Sequence, residues 1–114
     1  MTEQKPYITP ALEIFIEEQF SHLSELFPDL YSHHEMLAYA AVTKLSEEMG
    51  ELSEAVLQSF QRQRKTKTIE NEAVSKELAD LLVVSLLLAH QFDIDINSAL
   101  KDKINHLSQR RATE

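Results

Sequence analysis

Apolar residues recur every three or four positions along most of the chain, which is the spacing of one face of an α-helix. A first helix is predicted to begin at Thr9, a favourable N-cap, with Pro10 at the first helical position. Pro28 and Asp29 are predicted to end it. The expected core stripe of this helix consists of Leu12, Phe15, Ile16, Phe20, Leu23, Leu26 and Phe27.

A long second helix is predicted to run from an N-cap at Ser32 to about residue 62, with Glu35 completing a capping box. His33 and His34 fall in its first turn. Because adjacent residues point to different sides of a helix, we expect these histidines to be solvated or to cap the helix end, with a place in a substrate pocket as the alternative. The expected buried stripe consists of Ala38, Ala41, Leu45, Met49, Leu52 and Val56.

The polar and basic segment 61–71 is predicted to be a mobile loop between two helices. Its cations are expected to be solvated and to offset the dipole of the preceding helix, with a lid over an anionic substrate as the alternative. These cations are Arg62, Arg64, Lys65 and Lys67.

A third helix is predicted over residues 72–92, and its apolar run has no polar face, which is typical of a helix buried on all sides. Asp80 is the only charged residue in the twelve positions after Glu77. A buried, unpaired carboxylate costs several kcal/mol, so Asp80 is expected to be neutralised, paired or bound to a metal. Glu77 lies one helical turn before it. Ser85 is expected only to donate to a backbone carbonyl one turn back.

A fourth helix is predicted to begin at Asp93 or Asp95. Lys103 falls inside its apolar stripe, where it either extends its ammonium to water or faces the carboxylates or a substrate phosphate. The stripe consists of Ile96, Ala99, Leu100, Ile104 and Leu107.

The composition supports a single all-α domain over residues 1–114, because one Gly and three Pro in 114 residues supply little turn chemistry for a sheet. A net charge of −8 argues against nucleic acid as a partner. The absence of cysteine excludes disulfides, thiol nucleophiles and cysteine-ligated metals. We find neither a signal-peptide pattern nor an apolar run long enough to span a bilayer, so a cytoplasmic protein with no membrane partner is expected.

Four acidic residues on the second and third helices are candidates for chemistry. Glu48 borders the predicted core and Glu51 lies at its margin, whereas Glu47 and Glu54 point away. Antiparallel packing brings the Glu48/Glu51 pair to the Glu77/Asp80 pair. Their mutual repulsion requires cations, and a cage made only of oxygens suits Mg²⁺ or Mn²⁺.

Two further observations bear on this cage. A di-iron bundle is disfavoured, because no glutamate in the chain is followed by histidine three positions later. Lys44, one turn before Glu48, either pairs with that carboxylate or contacts a bound phosphate. A phosphate ester or polyphosphate is the natural substrate for such a site.

The segment from Lys44 to Ala55, KLSEEMGELSEA, followed by ELADLL from Glu77, resembles the Glu-x-x-Glu and Glu-x-x-Asp signature of a known family. This family is the MazG-type nucleotide pyrophosphohydrolases of the all-α NTP pyrophosphatase superfamily, in particular its short single-domain members. The resemblance covers about residues 35–107.

The resemblance implies hydrolysis of a (deoxy)nucleoside triphosphate to the monophosphate and pyrophosphate, a reaction suited to removing surplus or non-standard dNTPs. The four acids would hold Mg²⁺, and a water associated with the metal would attack the α-phosphorus. Glu48 and Glu51 are the implied catalytic residues, and Lys44 and Lys103 are candidates for substrate binding. Lys103 matches a lysine of the family's last helix, but position 107, one turn later, is Leu where the family tends to have Asn. The ligands implied for Mg²⁺ are Glu48, Glu51, Glu77 and Asp80.

The resemblance also implies a homo-oligomer, either a dimer or a dimer of dimers, so the overall expectation is a four-helix chain that assembles into an oligomeric helical bundle. Two alternative functions remain open. One is a phosphoribosyl-ATP pyrophosphohydrolase-like enzyme. The other is a non-catalytic helical dimerisation or binding module whose carboxylates hold a structural metal or pair with lysines.

Overall fold

The computed structural model describes residues 5–67 and 71–114, and every regular element in these two ranges is an α-helix. The all-α prediction is therefore confirmed. In the same ranges, no helix is long and apolar enough to cross a membrane. The helices are α1 (Pro10–Leu26), α2 (Pro28–Tyr31), α3 (His34–Thr66), α4 (Glu72–Gln91) and α5 (Ile96–Thr113).

The start of α1 is as predicted: the Thr9 hydroxyl accepts a hydrogen bond from the Leu12 amide at 3.2 Å, and Pro10 is the first helical residue. The short helix α2 was not predicted, because Pro28 was interpreted only as a helix breaker. Proline fits the first turn of a helix equally well, since that position needs no amide hydrogen.

The predicted capping box at the start of α3 is wrong. His33 is the N-cap and makes no side-chain cap, while the Ser32 hydroxyl donates to the Asp29 carbonyl at 2.8 Å. Glu35 instead accepts a hydrogen bond from the Tyr39 hydroxyl at 3.0 Å. Ser32 belongs to the end of α2, and the presence of that helix moves the start of α3 by one residue.

The predicted loop at 61–71 is wrong for residues 61–66, which continue α3. Gln, Arg and Lys are good helix formers, and basic side chains in the last turn interact favourably with the helix dipole. The helix ends at Lys67, whose backbone is left-handed with φ 58°. The remainder of the predicted loop at 68–70 lies outside the described residues.

The antiparallel pair α3 and α4 forms the most extensive helix contact of the fold. Near the start of α3, the Gln91 side-chain amide donates to the His34 carbonyl at 2.8 Å, and the His34 ring meets Phe92 with ring centroids 4.9 Å apart. Helix α1 packs on α4, where Phe20 meets His90 with centroids 4.7 Å apart. His34 is exposed, in line with the expected solvated side chain, but its ring also packs at the end of the helix pair, and His33 makes no side-chain cap.

The buried face of α3 is rotated from the predicted stripe. Met49 is 50% exposed, whereas Leu37, Ala55 and Glu48 are buried. Glu48 therefore lies in the middle of this face, seven residues before Ala55, and not at its border.

Helix α4 is not buried on all sides within one chain, since Leu82 is 63% exposed. Its centre is otherwise as predicted, and the Ser85 hydroxyl donates to the Leu81 carbonyl at 2.8 Å.

Helix α5 begins at the predicted Asp95, whose carboxylate accepts hydrogen bonds from the Ser98 amide and hydroxyl. Asn97 ties its first turn to the N-terminal segment, because Asn97 Oδ1 accepts from the Ile8 amide at 2.7 Å and its Nδ2 donates to Glu13. Every residue from 101 onwards is exposed, including the predicted stripe positions Ile104 and Leu107.

The radius of gyration is 17.8 Å, against about 13 Å for a compact domain of this length. Among the described residues, only four apolar side chains are buried. The chain alone therefore leaves much apolar surface uncovered. The predicted homo-oligomer and the single-domain organisation remain predictions. The buried apolar side chains are Ile16, Leu37, Ala55 and Ala89.

Candidate metal and nucleotide site

A cluster of three carboxylates joins α3 to α4. One oxygen from each of Glu48, Glu51 and Glu77 lies within 4.8 Å of the others. Glu48 and Glu51 are one turn apart on α3, and the antiparallel packing of α4 brings Glu77 to them. The sequence-based pairing of the two helices through these acids is thus present in the structure for three of the four predicted residues.

Glu48 is the buried member of the cluster and is only 5% exposed. Its Oε1 pairs with Lys44 Nζ at 3.2 Å, as the i,i+4 spacing predicts. Within the described residues, its Oε2 is buried without a hydrogen-bond partner, and so is Oε2 of Glu77. Two buried carboxylate oxygens therefore lack the partner that their burial normally demands.

The charges of the cluster act on one another. The pKa of the Glu51 carboxyl is raised, mainly because it shares a hydrogen bond with Glu77 and also because the negative charges of Glu48 and Glu77 oppose its ionisation. The pKa of Lys44 is raised by its hydrogen bond to Glu48 and by the charge of that carboxylate. One lysine thus offsets only part of the negative charge.

These residues fit a hard divalent cation. Ligand oxygens around one octahedral Mg²⁺ lie roughly 3 to 4 Å apart, which small side-chain rotations can achieve in a cluster of this size. A cation would satisfy the two unpartnered oxygens and remove the repulsion that raises the pKa of Glu51. The donor set is all oxygen, which suits Mg²⁺ or Mn²⁺ better than softer metals.

Asp80, the fourth predicted ligand, is half-buried one turn after Glu77 and falls outside the group of three. It forms no ion pair with any residue in the described ranges. Its membership in the metal site remains a prediction.

The remaining candidate residues lie apart from the cluster. Lys103 is exposed on α5 and makes no ion pair within the part of the chain that is described, so its contact with substrate stays a prediction. Glu54, predicted to point away, is exposed and accepts a hydrogen bond from Gln58. Glu47 is also largely exposed and lies 3.8 Å from Lys44.

A second feature was missed by sequence reasoning. An apolar cavity of about 230 Å³ lies beside the cluster, and Lys44 lines it. Its walls come from four helices, so no local spacing in the sequence signals it. Tyr31 and Gln91 contribute polar groups to its lining.

Comparison with known proteins gives two matches. The sequence profile of the MazG nucleotide pyrophosphohydrolase domain matches residues 33–113. The uncharacterized protein YpjD of Bacillus subtilis (strain 168) is 31% identical over 67 residues, an alignment that spans 59% of this chain and 60% of that protein. No solved structure matches significantly. Since the profile match includes both helices of the carboxylate cluster, the chain belongs to the MazG nucleotide pyrophosphohydrolase domain family.

Proposed function

We propose that the protein hydrolyses a (deoxy)nucleoside triphosphate to the nucleoside monophosphate and pyrophosphate in a reaction that depends on Mg²⁺, with Mn²⁺ as a substitute. The observation that carries this proposal is the convergence of Glu48, Glu51 and Glu77, in which two buried oxygens have no partner. Membership of the family supplies the reaction class.

Each residue has a proposed role. Glu48, Glu51 and Glu77 hold the cation, with Asp80 joining them one turn along α4. Glu48 and Glu51, the implied catalytic pair, orient the water that attacks the α-phosphorus. When bound, the divalent ion supplies neutralisation of phosphate charge and a lowered pKa of that water. Lys44 is about half exposed next to Glu48, and this exposure supports a proposed contact with the phosphate chain.

A non-catalytic dimerisation module is the second candidate, because the Lys44–Glu48 ion pair is the kind of contact that such a module would retain. This pair leaves Oε2 of Glu48 and Oε2 of Glu77 without partners, however. The two orphaned oxygens therefore favour a bound cation over a cluster paired with lysine alone, and the family match supports an enzyme over a structural metal site.

The test is release of pyrophosphate from a panel of ribo- and deoxyribonucleoside triphosphates with Mg²⁺. The isosteric double variant Glu48→Gln, Asp80→Asn should lose more than about 100-fold in rate, since changing residues behind metal ligands already costs 10- to 100-fold. The matched control Glu54→Gln, on the same helix but outside the cluster, should stay within about 2-fold of wild type. If no nucleotide yields more pyrophosphate with wild type than with the double variant, the enzyme proposal is wrong.

We further propose that the working form is a homo-oligomer, either a dimer or a dimer of dimers. The uncovered apolar surface and the large radius of gyration support this. The cellular role that we propose for the hydrolysis is removal of surplus or non-standard dNTPs.

A further inference from the structure

The apolar cavity beside the carboxylate cluster lies between α1, α2, α3 and α4. Its volume is about 230 Å³, and its lining is mainly aliphatic and aromatic. Lys44, Tyr31 and Gln91 are the lining residues whose side chains carry polar groups. A concave apolar site with a few polar groups is the usual form of a site for a small organic ligand.

On both long helices the cavity begins one turn away from the acids, and because the helices are antiparallel it lies on the same side of the cluster. On α3 it begins at Lys44, one turn before Glu48, and on α4 it begins at Val84, one turn after Asp80. One turn of helix rises about 5.4 Å. A ligand that reaches from the cluster into the cavity therefore needs an anionic end, which binds the cation held by the carboxylates, and an uncharged end in the cavity. The two ends must be separated by the length of one to two helical turns. A nucleotide has this shape, with its phosphates at one end and its base at the other.

The polar groups of the cavity have unused hydrogen-bonding capacity. The Gln91 side-chain nitrogen donates to the His34 carbonyl at 2.8 Å, which fixes the amide and leaves its oxygen as an acceptor. The Tyr31 hydroxyl has no hydrogen-bond partner in the described residues. A tyrosine hydroxyl is protonated at neutral pH and can donate, and burial raises the pKa of Tyr31 further. The edge of a planar heteroaromatic ring offers complementary groups.

A larger cavity among the described residues does not fit this role. Its volume is about 460 Å³, and it lies at the far end of α4 between α1 and the start of α5. Carboxylates of Glu13, Glu17, Asp93 and Asp95 line it, and no lysine or arginine does. An anionic ligand would be repelled there.

We infer that the apolar cavity binds the base of the nucleotide, with the sugar beside Lys44 and with Tyr31 and Gln91 forming hydrogen bonds to the edge of the base. This inference rests on the proposed function, because it assigns the part of the substrate that lies beyond the phosphates. Tyr31 and Gln91 are then the residues that determine which base is preferred.

The test compares ligands with and without a base. Calorimetry with Mg²⁺ measures the binding of non-hydrolysable α,β-imido analogues of the four dNTPs and of inorganic triphosphate. We expect at least one nucleotide analogue to bind 10-fold or more tightly than triphosphate. Ala41→Leu places a larger side chain in the cavity lining and should weaken the binding of this analogue by at least about 10-fold. The affinity for triphosphate should stay within about 2-fold of wild type. Ala99→Leu, at an exposed position of α5, is the matched control and should change neither.

A second variant is independent of cavity filling. Tyr31→Phe removes only a hydroxyl that has no hydrogen-bond partner in residues 5–67 and 71–114, so circular dichroism and thermal melting should match wild type. Its affinity for the preferred analogue should fall about 5- to 10-fold, the usual size of one hydrogen bond, with no change for triphosphate. If Ala41→Leu fails to fold, the affinities measured with Tyr31→Phe are sufficient to test the inference.

The outcomes separate the two proposals. If triphosphate binds as tightly as all four analogues, or if Tyr31→Phe leaves all four affinities unchanged, the base-binding inference is overturned while the proposed function stands. If neither the analogues nor triphosphate bind with Mg²⁺, the proposed function fails and the inference falls with it.

Discussion

Glu48 occupies the centre of the buried face of α3, a position that an apolar side chain normally takes. Its carboxylate has one partner, Lys44, and one oxygen with none. Burying a charge that is incompletely paired costs free energy, and replacing such a group by an apolar side chain is often neutral or stabilising. Function and stability therefore oppose each other at this residue.

This opposition gives a first prediction. In the presence of a chelator, Glu48→Leu should raise the free energy of unfolding by about 1 to 3 kcal/mol, measured by urea denaturation, because it removes the desolvated carboxylate. Glu54→Leu, at an exposed position of the same helix, should stay within about 0.5 kcal/mol of wild type. A less stable Glu48→Leu protein would show that the Lys44–Glu48 pair outweighs the burial of the charge.

Glu51 gives a prediction on pH. Its raised pKa means that the folded protein binds a proton more tightly there than the unfolded chain does. The stability of the metal-free protein should therefore fall as pH rises from the unfolded value near 4.5 through the raised folded pKa. Thermal melting in a chelator from pH 4 to 8 should show wild type losing stability relative to Glu51→Gln over this window. Parallel curves for the two proteins would contradict the raised pKa.

The sequence predicts the identity of the clustered acids but not their burial. The four-residue spacings select Glu48, Glu51, Glu77 and Asp80, because helical geometry fixes which acids share a side of each helix. The first three converge in the structure, whereas Asp80 lies outside their group. The wheel centred on Leu45 places Glu48 at the border of the core, and the structure places it in the middle, with Met49 outside. The angle of a helix about its axis depends on the surfaces packed against it. The spacing of apolar residues in the sequence locates the buried face of a helix only to within about one residue.

At the scale of elements, α5 is held by its first turn. Asp95 accepts hydrogen bonds from the Ser98 amide and hydroxyl, and Asn97 ties the same turn to Ile8 and Glu13. Beyond residue 100, α5 is exposed along its whole length. The stability of this helix in the single chain therefore depends on the cap more than on packing.

Asp95→Ala should accordingly destabilise α5 by about 1 kcal/mol, the usual cost of losing an N-cap. Hydrogen exchange of the amides in its first turn should accelerate about 5-fold, which corresponds to that free energy. Asp102→Ala, in the exposed middle of the same helix, serves as the control and should leave those amides unchanged.

The effect of Asp95 should also depend on pH. Hydrogen bonds from the Ser98 side chain and amide lower the pKa of Asp95. The contribution of Asp95 to the stability of α5 is therefore complete above the unfolded-state pKa of 3.8 and is lost as pH falls through the lowered pKa of the folded state. Equal exchange rates in wild type and Asp95→Ala at neutral pH would mean that the cap contributes nothing.

Element boundaries were predictable where a side chain made the cap. Thr9 is the N-cap of α1 in both the prediction and the structure, and Asp95, one of the two predicted starts of α5, is its N-cap. The start of α3 was not predictable in this way. Its N-cap, His33, makes no side-chain hydrogen bond, and the Ser32 hydroxyl donates to the carbonyl of Asp29 in the preceding turn. The end of α3 was misplaced because a run of basic residues was interpreted as a loop. Helix propensity and the helix dipole favour continuation there.

At the scale of the whole molecule, apolar side chains lie exposed along one side of α3, next to its buried face. Val42, Met49 and Phe60 share this side within about 20° at 100° per residue. A stripe of this kind on a chain with so few buried residues is typical of a surface that a second protein covers. The sequence suggested oligomerisation through the family resemblance and through an apolar third helix that a chain of this size cannot bury alone, and the uncovered stripe on α3 adds a second surface to that argument.

Phe60→Lys should therefore shift the protein towards the 13.1 kDa monomer in light scattering coupled to size exclusion, whereas wild type should elute at two or four times that mass. A lysine in an apolar interface leaves a charge without water or a partner. Gln58→Lys, on the opposite side of α3, should keep the mass of wild type. A wild-type protein that is monomeric at micromolar concentration would contradict the predicted assembly.

The exposure of α5 has a consequence for the lifetime of the chain. Lys101, Lys103, Arg110 and Arg111 are all exposed on a helix with no buried residue, so a protease specific for basic residues finds its cleavage sites in the element that opens most easily. Cleavage of a native protein follows the population of such open states. A second copy seated on α5 would close them, and free chains would then be degraded ahead of assembled ones. The terminal helix would in this way couple how long each chain persists to whether it has found a partner.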